Sequence, residues 1–216
     1  MTLCKICSQP THSFSHSNFG TYDSCDACHF ISKQKKDHIS PEEALIVYNR
    51  HENYLDDPTY TAYFVAFVEK AITPYANAGR KGFDYGSGPQ PVLVKILESK
   101  YGYHMAHYDY FFSPDTQYTE QKYDLITITE VIEHIEDPVA TLMHLKSLLR
   151  TSGILCVMTT FHRCDQAFFM DWHYMRDRTH ISFFTETTFR YIAEQIGLNI
   201  LFTDSKRYIT LSLKDS

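Results

Sequence analysis

"KGFDYGSGPQPVLVKILESKYG", residues 81–102, passes from a short apolar run through a glycine turn into a helical repeat. Strand 81–85 ends at Asp84-Tyr85-Gly86-Ser87-Gly88, and a helix follows over 91–102. Glycines at a strand-to-helix turn let the backbone bend sharply and approach a ligand closely. The next apolar run, 103–109, ends in Asp109, where an acidic side chain is placed to hold a ribose diol. No G-K-[ST] follows, which rules out a P-loop, and the position three after Gly88 is Pro91, so the G-x-G-x-x-G pattern is incomplete. The stretch points to a parallel α/β sheet and an adenosine-containing cofactor.

Working outward, strands and helices alternate to the end of the chain. Strand 123–129 is followed by a helix over 137–153, with Asp137 as cap, Pro138 at its first position and Gly153 as stop. Strand 154–160 contains Cys156, which reads as core. A last helix over 185–197, capped by Thr185 and ended by Gly197, precedes two strands, 198–204 and 207–213, close enough in sequence to pair antiparallel. Alternating strands and helices predict ligands at the C-terminal strand edge.

Upstream, "SPEEALIVYNRHENYL" (40–55) carries Ser40 as cap, Pro41 at the first helical position and Glu42 and Glu43 in the first turn. "DPTYTAYFVAFVEKAI" (57–72) repeats that design behind Asp57, with Tyr60, Tyr63, Phe64, Phe67, Val68 and Ile72 at helical spacing. These two helices form a connector, 36–78, whose aromatics read as core or interface.

Cys4, Cys7, Cys25 and Cys28 form two C-x-x-C pairs separated by polar, turn-rich residues 8–24. That pattern matches a four-thiolate zinc site, closed to chemistry and therefore structural, although His12, His16 and His29 are also at hand as ligands. About 35 residues bury too little surface to fold alone, so the metal would supply the folding energy. Residues 1–35 are thus expected to form a zinc-ribbon and 79–216 the main domain.

The 216 residues carry a net charge of −6, which counts against a nucleic-acid partner held by phosphate contacts while leaving one open. Lys33, Lys35 and Lys36 read as a solvated linker. No run of about 18 apolar residues predicts a membrane span, and the N-terminus lacks an apolar signal core. A cytoplasmic location is expected, where stable disulfides are rare. The oligomeric state is not encoded in any of these features.

The combination Asp84-x-Gly86-x-Gly88, Asp109 and "YDLITITEVIEHIEDP" (123–138) resembles the class I S-adenosylmethionine-dependent methyltransferases over residues 80–213. The resemblance implies a Rossmann-like sheet with helices on both faces. It implies S-adenosyl-L-methionine as cofactor, held by Asp84, Tyr85, Gly86, Ser87, Gly88, Asp109, Tyr110, Thr129 and Glu130. Two departures are visible. Gln90 stands where the loop's third glycine would be, and the span from Asp109 to Tyr123 is too short for a full third strand with its helices. Asp115 is the available acid for the adenine amino group. A zinc-ribbon in front occurs elsewhere in the superfamily, in some sugar C-methyltransferases and some ribosomal RNA methyltransferases.

"ITEVIEHIED" (128–137) places Glu130, Glu133 and His134 just after a strand, where methyl group and acceptor should meet. Three roles fit: divalent-ion ligands, general base, or structural support. The E-x-x-E-H spacing with the later His180 resembles metal-dependent small-RNA 3′-end 2′-O-methyltransferases, and ubiquinone-pathway O-methyltransferases share the first part. That likeness implies Glu130, Glu133, His134 and His180 around Mg²⁺, Mn²⁺, Fe²⁺ or Zn²⁺. The aromatic-rich stretch 161–184 is read as lid or extra core, with Trp172 and His173 as candidate substrate contacts. The expected activity is O- or C-methylation of a small molecule, a sugar or a hydroxylated metabolite. The alternatives are an RNA methyltransferase gripping RNA through the ribbon, and a non-catalytic adaptor that keeps the fold.

Overall fold

Alternating burial along the central strands sets the architecture. The computed structural model describes residues 2–50, 57–76 and 79–214; positions 51–56 and 77–78 of the connector lie outside the described residues. The N-terminal module contributes strands β1 (His12–His16), β2 (Gly20–Ser24) and β3 (Ile31–Lys33). Helices α1 (Pro41–Tyr48) and α2 (Pro58–Phe67) follow, and α2 continues as a π turn, Val68–Ile72. The main domain runs β4 (Lys81–Tyr85), α3 (Val92–Tyr101), β5 (His104–Tyr108), β6 (Tyr123–Thr129), α4 (Pro138–Ser147), β7 (Leu149–Met158), α5 (Gln166–Asp171), β8 (Ser182–Phe183), α6 (Glu186–Ile196), β9 (Leu198–Thr203) and β10 (Tyr208–Leu213).

Six strands form one sheet in the order β5-β4-β6-β7-β10-β9. β5, β4, β6 and β7 are parallel, whereas β10 is antiparallel to both of its neighbours. Successive side chains of a strand face opposite ways. Ile126 and Ile128 of β6, Leu155 and Val157 of β7, and Ile209 and Leu211 of β10 pack with α4 and α6. Leu125, Ile154, Cys156, Met158 and Tyr208 pack on the other face with α2 and α3. Helices therefore cover both faces, which is the Rossmann-like methyltransferase arrangement. Chain order reverses between β4 and β6, and the crevice at their C-terminal ends is where such sheets bind ligands.

The caps explain the helix starts. Ser40 and Glu43 form a reciprocal capping box for α1, and the Asp57 carboxylate accepts from Thr59 N and Tyr60 N to start α2. One expected boundary moves. α4 ends at Ser147, and Gly153 lies within β7 instead of stopping the helix. Leu149 already pairs with Tyr123, and the ladder resumes only at Leu125 opposite Ile154, so residues 150–153 bulge from the strand. Between β5 and β6 the described residues hold only a tight Asp109–Ser113 bridge and a 3-10 turn, Gln117–Glu120, which leaves β5 as an edge strand.

The N-terminal module does not stand apart. β8, from the aromatic-rich segment, pairs with β3 and completes a second sheet, β1-β2-β3-β8. Tyr22, Ile31, Phe169, Trp172, Met175 and Phe183 form a separate core at this junction. Cys4, Ile6, Cys25, Cys28 and Phe30 belong to the main-domain core. Lys33 is not in a solvated linker: it is buried in β3, its Nζ donates to the Arg178 carbonyl at 3.4 Å and lies 5.9 Å over the Tyr22 ring. Lys35 and Lys36 do stay exposed.

Phe183, fully buried between Tyr22, Phe169 and Trp172, is the central ring of the junction. Phe183→Ala is expected to destabilise the protein by about 3–5 kcal/mol. Urea denaturation checks the size, and hydrogen exchange should show earlier opening at the β3–β8 pair than in β6.

Candidate functional site

Three strand ends deliver the candidate residues into one cavity of about 780 Å³, within the range of pockets for small ligands, about 300–1,000 Å³. From β4 come Asp84, Tyr85, Gly86, Ser87 and Gly88; from the end of β5, Asp109 and Tyr110; from the end of β6, Thr129, Glu130, Glu133 and His134. His38, Ser40 and Tyr48 of the connector close the far wall, and Asp177, Thr179 and His180 enter from the segment before β8.

The two loop glycines serve different ends. Gly86 has φ +82°, and a Cβ there would meet Val131 Cγ2 at 2.3 Å, so packing forbids a side chain. Gly88 has φ +68°, and among the described residues nothing lies within 4 Å of a Cβ there. A ligand can thus approach the backbone at Gly88. Asp109 ties this loop down: Oδ2 accepts from Gly88 N at 2.8 Å, while Oδ1 accepts from Phe111 N and Phe112 N at 2.9 and 3.1 Å. A carboxylate has about four acceptor sites, which leaves Asp109 capacity for about one further hydroxyl. Asp115 instead accepts from Gln117 N in its own turn and does not line the cavity.

Asp84 is buried and accepts from Thr127 Oγ1 at 2.6 Å. Burial pushes its carboxyl from 3.8 up to about 7; the Thr127 hydroxyl opposes the rise and the Asp109 charge adds to it.

After β6 the chain is strained. Glu130 has φ +52°, a left-handed conformation that non-glycine residues rarely adopt and that tends to cluster at functional sites. Tyr63 donates to Glu130 Oε1 at 2.6 Å, and Tyr174 lies 3.2 Å from Glu130 Oε2 and 2.6 Å from Glu133 Oε1. Burial, helped by the Glu133 charge, pushes Glu130 up to about 8. Burial also raises Glu133 and lowers His134. Glu133 is fully buried, and its Oε2 has no hydrogen-bond partner among the described residues.

Ligand atoms of Glu133, His134 and His180 lie within 4.8 Å of one another. His134 Nδ1 is 3.1 Å from the Thr179 carbonyl, and His180 Nδ1 is 2.7 Å from the Tyr174 carbonyl. A carbonyl partner assigns the proton to Nδ1 and directs Nε2 as the ligand atom, the usual support of a metal-binding histidine. Asp177 Oδ2 stands 4.0 Å from His180 Nε2. Of the four expected ion ligands the structure gathers these three, while Glu130 is held in the tyrosine contacts. At the N-terminus, Cys4 and Cys28 sulfurs are 3.5 Å apart and Cys7 and Cys25 sulfurs 3.4 Å, all four within 4.8 Å and none in a disulfide.

Trp172 and His173 do not contact this site. Trp172 packs into the junction core against Phe169, Tyr174 and Phe183, and His173 is exposed; neither lines the cavity. The ring that turns inward from that segment is Tyr174. Tyr63, Tyr48 and Phe111 were likewise not singled out as site residues, because an aromatic at helical spacing gives no sign of which ring carries a polar contact. Tyr48 meets the His134 ring edge-on at 5.3 Å and the Phe111 ring at 5.6 Å.

The Asp84 shift predicts a pH dependence. The folded chain keeps a proton on Asp84 that the unfolded chain releases above about 4. The stability this contributes is full below that pH and is lost as pH rises through about 7. Asp84→Asn should therefore flatten part of the fall in urea midpoint between about pH 4 and 7; an unchanged pH profile would contradict the assignment.

A family profile described as "Methyltransferase domain" matches residues 50–202. No curated protein matches the sequence. Among solved structures, the chain is similar to mmp1179 of Methanococcus maripaludis, assigned as an S-adenosyl-L-methionine-dependent methyltransferase, with 15% identity, TM-score 0.54, 81% of this chain and 94% of that one. It is similar to an O-methyltransferase family protein from Burkholderia thailandensis, with 10% identity, TM-score 0.54, 81% of this chain and 68% of that one. It is similar to the mitomycin 7-O-methyltransferase MmcR, with 14% identity, TM-score 0.50 and 73% of this chain, and it spans only 58% of that protein's length. At these identities the structures establish the fold alone. The family follows from the profile, which spans the connector from residue 50 onward, the glycine loop and the Glu130–His180 region: the chain belongs to the methyltransferase domain family.

Proposed function

We propose that this protein transfers the methyl group of S-adenosyl-L-methionine to a hydroxyl of a small molecule, with a divalent ion at Glu133, His134 and His180. The observation that carries the ion is the orphaned Oε2 of a fully buried Glu133 beside two imidazoles with carbonyl-bound Nδ1. A buried carboxylate oxygen without a partner is costly, and a cation removes that cost. One carboxylate and two imidazoles suit Mn²⁺, Fe²⁺ or Zn²⁺ better than Mg²⁺, which prefers oxygen ligands.

The cofactor reading rests on the open face of Gly88, on Asp109 beside it, and on the family. Asp84 and the glycine loop would take the methionine part, and Asp109 one ribose hydroxyl. Tyr85, Ser87, Tyr110 and Thr129 line the same end of the cavity. A sulfonium methyl is already activated for in-line displacement, so the protein's work is alignment and exclusion of water. Bound at the three ligands, the ion would orient an acceptor hydroxyl and lower its pKa. Tyr174 fixes Glu133 through Oε1 and so aims Oε2 at the ion position. Glu130, clamped by Tyr63 and Tyr174, acts as a positioning residue. Two of the structural relatives are O-methyltransferases by name, which supports the same class of reaction here.

We assign the four cysteines to a structural zinc. Tetrahedral Zn–S bonds of about 2.3 Å place sulfurs about 3.8 Å apart, close to the spacing of these thiols, three of them buried and Cys7 partly so. The zinc would hold together the module that carries β3.

Mn²⁺ binding followed by electron paramagnetic resonance tests the ion site. One ion per chain is expected, lost in both Glu133→Gln and His180→Ala, while S-adenosyl-L-methionine still binds each variant. Mn²⁺ binding that is absent from the native chain, or that survives both substitutions, refutes the ion assignment.

A further inference from the structure

The two ends of the cavity hang from different supports. At the cofactor end, Gly88 and Asp109 follow β4 and β5 and are tied to each other and to the Phe111 and Phe112 backbone. No described residue of 1–35 lines the cavity. At the ion end, however, the four-cysteine module reaches the ligand-bearing turn by three routes. Lys5 sits inside the first C-x-x-C turn, between Cys4 and Cys7, and its Nζ donates to the Glu136 carbonyl at 3.1 Å, two residues past His134. Lys35 Nζ lies 3.0 Å from the Glu136 carboxylate. The third route runs through β3: Lys33 N donates to the Ile181 carbonyl at 2.9 Å, and Ile181 N donates to the Glu133 carbonyl at 2.8 Å, directly beside His180 in the chain. The second C-x-x-C turn is fastened to the main domain too. The Cys28 carbonyl accepts from Thr188 Oγ1 at 2.9 Å, and the Phe30 ring packs on Phe184 at 5.3 Å.

We propose that the four-cysteine centre is a positioning element for the ion site. With zinc bound it holds Glu133, His134 and His180 in ligating geometry; without zinc the chain loses affinity for the ion and keeps its cofactor. The inference rests on the ion and zinc assignments above and adds a coupling between them. A module of this size buries too little surface to keep its shape unaided, so its two cysteine turns are shaped by the metal. Once zinc leaves, β3 no longer orders β8 and Ile181. Lys5 and Lys35 no longer steady the turn that carries Glu133 and His134. A ligand set works only when held within about 0.5 Å of its productive geometry, so a loosened support is felt at the ion. The glycine loop keeps its own support in the parallel sheet. Opening confined to one part of a fold is ordinary behaviour where the parts differ in what holds them.

Paired titrations of the full-length protein test it. Zinc is stripped with a chelator, the chelator is removed, and the native and zinc-free chains are compared. Mn²⁺ affinity is read by electron paramagnetic resonance, S-adenosyl-L-methionine affinity by calorimetry, and amide exchange at Ile181 by NMR. Mn²⁺ is the probe because thiolate sites disfavour it. The zinc-free chain should bind Mn²⁺ at least about tenfold more weakly, within the usual span of coupling between two sites. Its Ile181 amide should exchange faster than the amides of β6. Its cofactor affinity should stay within about twofold, as for independent sites. One equivalent of Zn²⁺ should restore all three readings. The double variant Lys5→Met, Lys35→Met leaves the cysteines and the core untouched; it should keep its zinc and lose about threefold in Mn²⁺ affinity. Unchanged Mn²⁺ affinity in the zinc-free chain refutes the coupling alone, and cofactor binding lost together with Mn²⁺ refutes the local character of the change. A native chain that holds zinc and binds no Mn²⁺ refutes the ion reading and this inference with it. If the zinc-free chain precipitates, the double variant decides, and native Mn²⁺ affinity there overturns the inference.

Discussion

One residue, Ile181, fixes the relation between the two halves of the molecule through both of its backbone polar groups. The N–H of Ile181 donates to the Glu133 carbonyl at 2.8 Å, and its C=O accepts from Lys33 N at 2.9 Å. A strand of the cysteine-bearing module, the segment carrying Tyr174, Thr179 and His180, and the turn after β6 are thereby joined at a single point. Thr188 Oγ1 donates to the Cys28 carbonyl at 2.9 Å, and His162 Nε2 lies 2.7 Å from the His29 carbonyl, which ties the same module to α6 and to the start of the aromatic segment. Backbone hydrogen bonds of this kind are individually modest and geometrically strict. The module's part is to place His180 beside His134 and Glu133, and it gives the N-terminal cysteines a bearing on the site without entering it.

The site's polar groups coexist with burial through the phenols around them. Glu130 and Glu133 are both carboxyls in an apolar shell, and each would be unstable there alone. The phenol oxygens of Tyr63 and Tyr174 lie within hydrogen-bond distance of three of the four carboxyl oxygens, with the Tyr174 proton aimed at Glu133 Oε1 at 2.6 Å. The fourth, Glu133 Oε2, has no partner among the described residues. Strain at Glu130 belongs to the same arrangement, because a left-handed residue directly after β6 turns the chain so that Glu133 and His134 face the cavity.

Much of this was legible in the sequence, for identifiable reasons. The glycine loop, Asp109 and the caps Ser40, Asp57, Asp137 and Thr185 are local signals, because the responsible residues are near neighbours in the chain. Six strands of one sheet followed from alternating apolar runs. The missing third strand was visible as a shortage of residues between Asp109 and Tyr123. Gly153 misled because a glycine after a helical pattern looks the same whether it ends a helix or sits in a bulge. Trp172 and Lys33 misled for a different reason. Their surroundings come from partners far away in sequence, β3 against β8, and no periodicity announces that pairing. Tyr174 was hidden in the same way among six other Phe and Trp rings of residues 161–184, since density of rings does not say which hydroxyl reaches a carboxylate.

The account stands on the glycine-loop end of the cavity being a cofactor site. The most direct measurement is calorimetric titration of the folded protein with S-adenosyl-L-methionine, beside the variant Gly88→Val. The native chain should bind one equivalent, and Gly88→Val, whose side chain would fill the open space at the loop, should not. A folded native chain that gives no binding heat, or binding that Gly88→Val leaves unchanged, would contradict the account.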